Sequence, residues 1–426
     1  MAEANIIGMT AALTRRLLAE RDAKTGAWTG ELSSSALSTA LASAALALGN
    51  TADKRLAAAG FAWLAAHANA DGGWGDTCES PSNLSATLIA AAALRRAEGD
   101  GCRPDGGDRE LGVGSRGAPN QTTLVRANLW IEGRLGGPST PEVAARALAD
   151  VYGQDRTFAA PILAFLAMCG DDARAWLNVP PLPFALSLLP RRLYRFLRLE
   201  VVSYALPALI AVGLCRHVCA ARARGGRAWG RLLAGPLLRR LEQLQPAHGG
   251  FLDAIPLTAF VYLALCHAGY SGHAVARKGL AFLRQAARPD GSWAIDSNLS
   301  MWVTSLAVRA ITAAGRGTAP LAAGIPDSGD RSPGGGGFWR GELEQVAAWL
   351  VKAQLKKRHP YTGAAPGGWS WTDLPGGVPD ADDTSGALLA LRRLREAGCR
   401  TDMSRAAREG VRWLLEIQNA DGGMPT

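Results

Sequence analysis

Lysine and histidine are scarce in this chain, and their distribution excludes several functions. Only six lysines are present (Lys24, Lys54, Lys278, Lys352, Lys356 and Lys357), so arginine carries the net charge of +9. No lysine-rich run or basic helix interleaved with stacking aromatics occurs, which argues against nucleic acid as a partner. The six histidines (His67, His217, His248, His267, His273, His359) all precede residue 380. Seven scattered cysteines (Cys78, Cys102, Cys169, Cys215, Cys219, Cys266, Cys399) make a poor disulfide framework because their number is odd, and they suggest a reducing compartment. Cys215 and Cys219 flank His217 in an apolar run and read as buried thiols rather than metal ligands, so no metal is expected. The opening Met1–Asn5 lacks the basic region and apolar stretch of a signal peptide. The uncharged run from Val201 to Cys215 falls short of the roughly 20 residues that span a bilayer, and Pro207 interrupts it. Period-2 alternation over several segments is missing as well, which disfavours β architectures.

What is present is a repeat. Thr39, Thr87, Thr258, Thr304 and Thr384 each open an apolar, helix-length run, and upstream of each lies a glycine-rich turn ending in an aromatic residue: Trp28, Trp74, Phe251, Trp293 and Trp369. Further apolar-periodic stretches precede most of these turns, for example Phe61 to His67, Leu280 to Ala286 and Val346 to Leu355. Each unit therefore reads as helix, turn, helix, in chain order. Such pairs cannot bury their apolar faces alone and must stack or close into a double layer. The fold class expected is all-α. At 48% hydrophobic and 19% charged residues, 426 in all, the chain has ample core for two domains. The glycine-rich stretch Gly315 to Gly337 is the expected boundary, giving domains of 1–320 and 321–426, with 98–120 as a surface loop in the first.

One repeat differs from the rest. Where the other threonines follow Leu37-Ser38, Ser85-Ala86, Pro256-Leu257 and Trp302-Val303, Thr384 follows Asp380-Ala381-Asp382-Asp383. A single Asp at a helix start is explained by capping and by the helix dipole. Three carboxylates in four residues exceed that need, and crowding like charges is relieved when one keeps its proton. The dipole favours ionisation, so a retained proton there sits on a strong acid, suited to protonating a carbon-carbon double bond or an epoxide. The resulting carbocation needs walls that stabilise positive charge without offering a nucleophile, as aromatic faces do. Of the 13 tryptophans, Trp28, Trp74, Trp293 and Trp369 read as turn staples. Trp371 and Trp302 lie outside that position. Trp302 holds the repeat position equivalent to Asp382, so both are candidates to face one cavity with the acid.

The Asp380–Thr384 motif, preceded by Gly367-Gly368-Trp369-Ser370-Trp371 and set among repeats of the Gln-Trp type, resembles the squalene-hopene cyclase family of class II terpene cyclases. The resemblance implies two α/α (toroid) barrel domains, a large apolar cavity, and cyclisation of squalene or a related linear isoprenoid to a hopene-type triterpene, with no metal or organic cofactor. It places the proton donor on Asp382, supporting carboxylates on Asp380 and Asp383, and substrate-facing aromatics on Trp371 and Trp302. It also implies monotopic attachment at the cytoplasmic face of the cell membrane near residues 180–215, with a homodimer left open. The stretch Leu182 to Leu199 suits that role, since Phe184, Tyr194 and Phe196 alternate with Arg191, Arg192, Arg195 and Arg198; a buried helix with a basic edge is the alternative. Two departures stand out. Val303 occupies a position that is acidic in the family, and no histidine follows the motif to bond the donor. By the same resemblance the second barrel is incomplete in this sequence, and impaired cyclisation by this chain alone is the expectation. Two other classes stay open. A protein prenyltransferase β-subunit-like barrel would need Asp, Cys and His zinc ligands in its later repeats, where only Cys399 is available. A non-catalytic helical-repeat module binding an isoprenoid or a protein would be indifferent to loss of the three aspartates.

Overall fold

The computed structural model describes residues 2–30, 32–99, 119–153, 156–170, 172–189, 205–225, 232–317, 340–360 and 362–424. Among these the chain is all-α, with fifteen α-helices and, in place of strands, three isolated bridges. Two compact units emerge: Leu32–Ser297, and Met1–Glu31 together with Asn298–Thr426.

In the first of these units five helices form a ring. They are α2 (Ala36–Ala47), α4 (Leu84–Gly99), α7 (Arg156–Cys169), α8 (Leu206–Ala223) and α10 (Ile255–Ala268); each packs on the next, and α10 returns to α2. A second layer surrounds them: α3 (Thr51–Ala66), α5 (Pro119–Leu135), α6 (Pro141–Tyr152), α9 (Ala234–Leu244) and α11 (Ala274–Gln285). Sequence dictates which helix goes where. α2 and α10 are apolar on nearly every side and are buried along almost their whole length. α9 and α11 bury one stripe only, Leu237, Leu238, Leu241 and Leu244 on the former and Val275, Gly279, Phe282 and Leu283 on the latter. Each such buried leucine or phenylalanine contributes about 1.5–3 kcal/mol. This unit is thus a closed α/α barrel.

The expected membrane-facing stretch divides in two. α8 is long and apolar enough to cross a bilayer, yet it is a ring helix whose Ile210, Val212, Leu214, Cys215 and Val218 are buried. Phe184 is buried too. Arg191, Arg192, Tyr194, Arg195, Phe196 and Arg198 lie outside the described residues, as do Cys102 and most of 98–120 and 315–337.

The second unit brings α12 (Ser300–Gly317) and α14 (Ala381–Glu396) side by side, backed by α1 (Ala2–Ala19), α13 (Arg340–Ala353) and α15 (Ser404–Ile417). Its core includes Trp28, Val346, Leu350, Trp369, Leu391 and Leu394. Among the described residues these helices form an open two-layer arc. The division differs from the one expected at residue 320. α12 packs with the aspartate-bearing helix and α1 packs on α12, and hydrogen bonds explain why.

In every repeat the threonine hydroxyl accepts the backbone N–H of the aromatic residue closing a turn. Trp74 bonds Thr87 at 3.0 Å, Phe251 bonds Thr258 at 2.9 Å and Trp369 bonds Thr384 at 2.9 Å, each within its own sequence repeat. The remaining two are exchanged. Trp28 N–H donates to Thr304 at 3.0 Å, and Trp293 N–H donates to Thr39 at 3.0 Å. Chain order, which pairs Trp28 with Thr39 and Trp293 with Thr304, is therefore the wrong pairing at these two sites. The chain leaves one unit after its first turn and returns at residue 298. The staple role of the tryptophans holds throughout: the indole N–H of Trp28, Trp74, Trp293 and Trp369 donates to the carbonyl of Leu17, Leu64, Leu283 and Leu350. Gln354 adds bonds to the carbonyls of Gly367 at 2.7 Å and Ala406 at 2.9 Å, fixing the turn before the acidic helix.

Candidate active site

The acidic helix α14 is well specified at both ends. Asp380 is its N-cap, in extended conformation, and its carboxylate accepts the Asp383 N–H at 2.7 Å. Asp380 N–H in turn donates to the Trp369 carbonyl at 3.1 Å, so the Gly-Trp turn holds the helix start. At the other end Gly398, with φ of 87°, supports a Schellman closure in which Cys399 N–H reaches Leu394 O and Gly398 N–H reaches Arg395 O. Arg393 and Arg395 in the last turn complement the dipole.

Helical spacing then sorts the three carboxylates. Asp383 points inward and is buried, whereas Asp382 is exposed and Asp380 half-buried. Burial first, then the hydrogen bond to Asp380 and the charges of Asp380 and Asp382, push the Asp383 acid up to about 8. Burial raises Asp380 also, against the opposing pull of its hydrogen bonds from Asp383. Burial thus biases both members of the pair toward the protonated form, Asp383 most strongly. The carboxyl pushed up to about 8 belongs to Asp383, the neighbour of the residue that the resemblance marks as donor.

Asp382 and Asp383 open onto a groove of about 280 Å³ between α12 and α14. One wall is the α12 stripe Trp302, Ser305, Leu306 and Arg309; the other is Asp382, Ser385, Gly386 and Leu389 of α14. Both walls follow the i, i+3, i+4, i+7 pattern of a single helix face. Trp302 is 44% exposed and shares this groove with the acid. Trp371 acts differently. Its side chain lies outside the groove lining, while its carbonyl accepts the N–H groups of Met301 at 2.9 Å and Trp302 at 3.2 Å and so caps α12. The same loop is clamped by Ser300, whose hydroxyl donates to Asp373 at 2.7 Å, and by Thr372 donating to Asn298 at 2.9 Å. Val303, where an acid was expected, packs against the core and Gly30. Ser305, Leu306, Arg309 and Leu389 were not singled out from sequence. Their signal was available in their spacing from Trp302 and Asp382. Among the described residues no three His, Cys, Asp or Glu side chains converge as metal ligands do.

Residues 11–104 match the family model described as the squalene-hopene cyclase N-terminal domain. Sporulenol synthase of Bacillus subtilis (strain 168) is 35% identical over 88 residues, 20% of this chain and 13% of that enzyme. Over these stretches the chain is similar to the class II terpene cyclases. A second cyclase relative, the terpene cyclase-glycosyl transferase fusion protein fsoA of Humicola fuscoatra, is 28% identical over 175 residues, 39% of this chain and 12% of that protein. The matched segments thus span about an eighth of either curated relative. Among solved structures, one of a protein from Actinoplanes shares 15% identity, covering 98% of this chain and 83% of that one with a TM-score of 0.22. The type II terpene cyclase MstE from Scytonema shares 14%, covering 99% and 81% with a TM-score of 0.19. The acid-bearing helix is the element that departs from the chain's own repeats.

Proposed function

We propose that this chain initiates cyclisation of a linear isoprenoid, squalene in the first instance, by protonating its terminal double bond. The observation that carries the proposal is the buried Asp383 carboxyl, pushed up to about 8 and opening with Asp382 onto a groove faced by Trp302. Asp383 passes its proton to Asp382, the most accessible of the three, which presents it to the alkene, while Asp380 holds the helix start. A proton moves from carboxyl oxygen to the terminal carbon, leaving a carboxylate and a tertiary carbocation. The π electrons of the chain then close successive rings, and loss of a proton from the last cation regenerates an alkene of the hopene type. Solvent reprotonates the acid. The Trp302 face stabilises the passing cation, and Trp371 sets the position of Trp302 through the helix cap. Attachment to the membrane surface is assigned to the stretch near residues 180–215, which combines aromatic and arginine side chains.

The test uses the full chain with squalene in D2O, scoring deuterium carried into recovered product, which registers even a slow reaction. Asp382→Asn is expected to abolish incorporation, and Asp383→Asn to reduce it at least tenfold. Incorporation unchanged by Asp382→Asn but lost with Asp383→Asn moves the donor role to Asp383. Incorporation indifferent to both, with isoprenoid binding retained, overturns the cyclase reading in favour of a binding module.

A further inference from the structure

The ring-forming unit Leu32–Ser297 buries a cluster of titratable side chains that proton transfer to an isoprenoid does not use. Among the described residues Leu252 and Asp253 are the two non-glycine residues with positive φ, 57° and 55°. That conformation suits glycine and strains a residue with a Cβ, so the surroundings must hold the turn in it. The Asp253 side chain does so. It is fully buried, and its Oδ1 accepts the His248 Nε2–H at 2.5 Å. Two backbone bonds fasten the same turn to the segment after Trp293: Ser297 N–H donates to the Asp253 carbonyl at 3.2 Å, and Ile255 N–H donates to the Ile295 carbonyl at 2.8 Å.

This pairing makes Ala254 and Asp296 bridge partners and brings a second carboxyl close to Asp253. Burial first, then the charge of Asp253, push the Asp296 acid up to about 6. Asp253 Oδ2 and His248 Nδ1 are both buried without a hydrogen-bond partner. The elements packed around the cluster add no compensating charge. α10 starts with the apolar Ile255-Pro256-Leu257; α11 sets the Phe282 ring edge-on to His248 at 5.4 Å, exposes Lys278 and commits Arg284 to Asp53. On the segment before Asp296, Asp290 accepts from Ser292 and Arg288 donates to Ser34. Two carboxylates enclosed in this way are tolerated only while protons offset their charge. His248, 26% exposed at its side chain, links the cluster to solvent.

We propose that His248, Asp253 and Asp296 form a proton-operated latch on the turn that opens α10. With a proton on the cluster the turn stays closed in its left-handed form. When that proton leaves, the two carboxylates repel, and the strained Leu252 and Asp253 relax and unfasten the start of the ring helix. The direction follows from linkage: closing takes up a proton at Asp296 between its ordinary 3.8 and about 6, so the closed turn is favoured at low pH and loses that support as pH rises through 6. Between pH 5 and pH 8 opening increases about tenfold. The latch stands whether or not the chain is a cyclase.

Hydrogen exchange of the full chain, read peptide by peptide at pH 5 and pH 8 and corrected for the intrinsic pH dependence of amide exchange, tests the latch. Residues 251–258 are expected to lose about tenfold in protection at pH 8. The turn at 69–74, held by Trp74 and Thr87 without such a cluster, is expected to change by less than about twofold. Asp296→Asn is expected to cut the loss at 251–258 to less than about threefold. Asp253→Asn, which keeps the side-chain shape and still accepts from His248, should do the same and serves as the test if the first variant does not fold. Equal protection of 251–258 at both pH values, a loss that the folded variants keep in full, or a loss shared by 69–74 overturns the proposal.

Discussion

Replacing Thr304 by valine tests the exchanged pairing of turns and helices. Thr304 is fully buried, and its hydroxyl both accepts the Trp28 N–H at 3.0 Å and donates to the Trp28 carbonyl at 3.4 Å. Valine preserves shape while removing both bonds. The stranded buried N–H costs about 1–3 kcal/mol, and the lost donation to the carbonyl adds about 0.5–1.5 kcal/mol. A local penalty of roughly 2–4 kcal/mol follows, equal to a rise in amide exchange of about 30- to 1,000-fold. Hydrogen exchange read peptide by peptide is the assay, because a chain of two units need not unfold in one step. Thr304→Val is expected to deprotect residues 26–30 and leave 290–294 protected, and Thr39→Val to do the reverse, since Thr39 holds the Trp293 N–H. Deprotection of 290–294 by Thr304→Val would show that the turns pair in chain order and that the two units exchange nothing.

Two further outcomes follow from the acid and from the packing around its turn. Asp383 titrates in the folded chain at about 8 against an ordinary value of 3.8, so between those values folding takes up a proton and stability falls as pH rises. Asp383→Asn removes that proton uptake: urea midpoints measured from pH 5 to 8 should lie on a flatter line than wild type, with the variant more stable at the upper end, and parallel lines would refute the retained proton. Gly410 lies under the Trp369 ring, where a Cβ would stand 2.7 Å from Cζ3 and 3.1 Å from Leu388 Cδ2. Gly410→Ala should therefore overpack this core by about 1–3 kcal/mol, visible as a lower melting temperature, whereas an unchanged one would mean the ring is free to move.

Much of this molecule is legible in the order of its residues alone. The five threonines, the aromatic turn residues, and the apolar runs behind them announce helical hairpins, since their residue types and spacings already specify a helix start, a turn and a face to be buried. The triple-aspartate start of α14 is equally local, because capping and charge crowding depend only on neighbours in sequence. The pairing of Trp28 with Thr304 and of Trp293 with Thr39 is different in kind. A threonine at a helix start encodes a capacity to accept an N–H, and every repeat offers an equivalent N–H. Which one is taken depends on the helices that tertiary packing brings together. The same holds for the acids: sequence set three carboxylates on one turn, while packing alone decided that Asp383 would be buried and Asp382 left facing the groove. The groove itself exists only because α12 lies beside α14. Residue type and spacing determined what each element could do; solvent exclusion, which depends on the assembled helices, determined which of those capacities the protein uses.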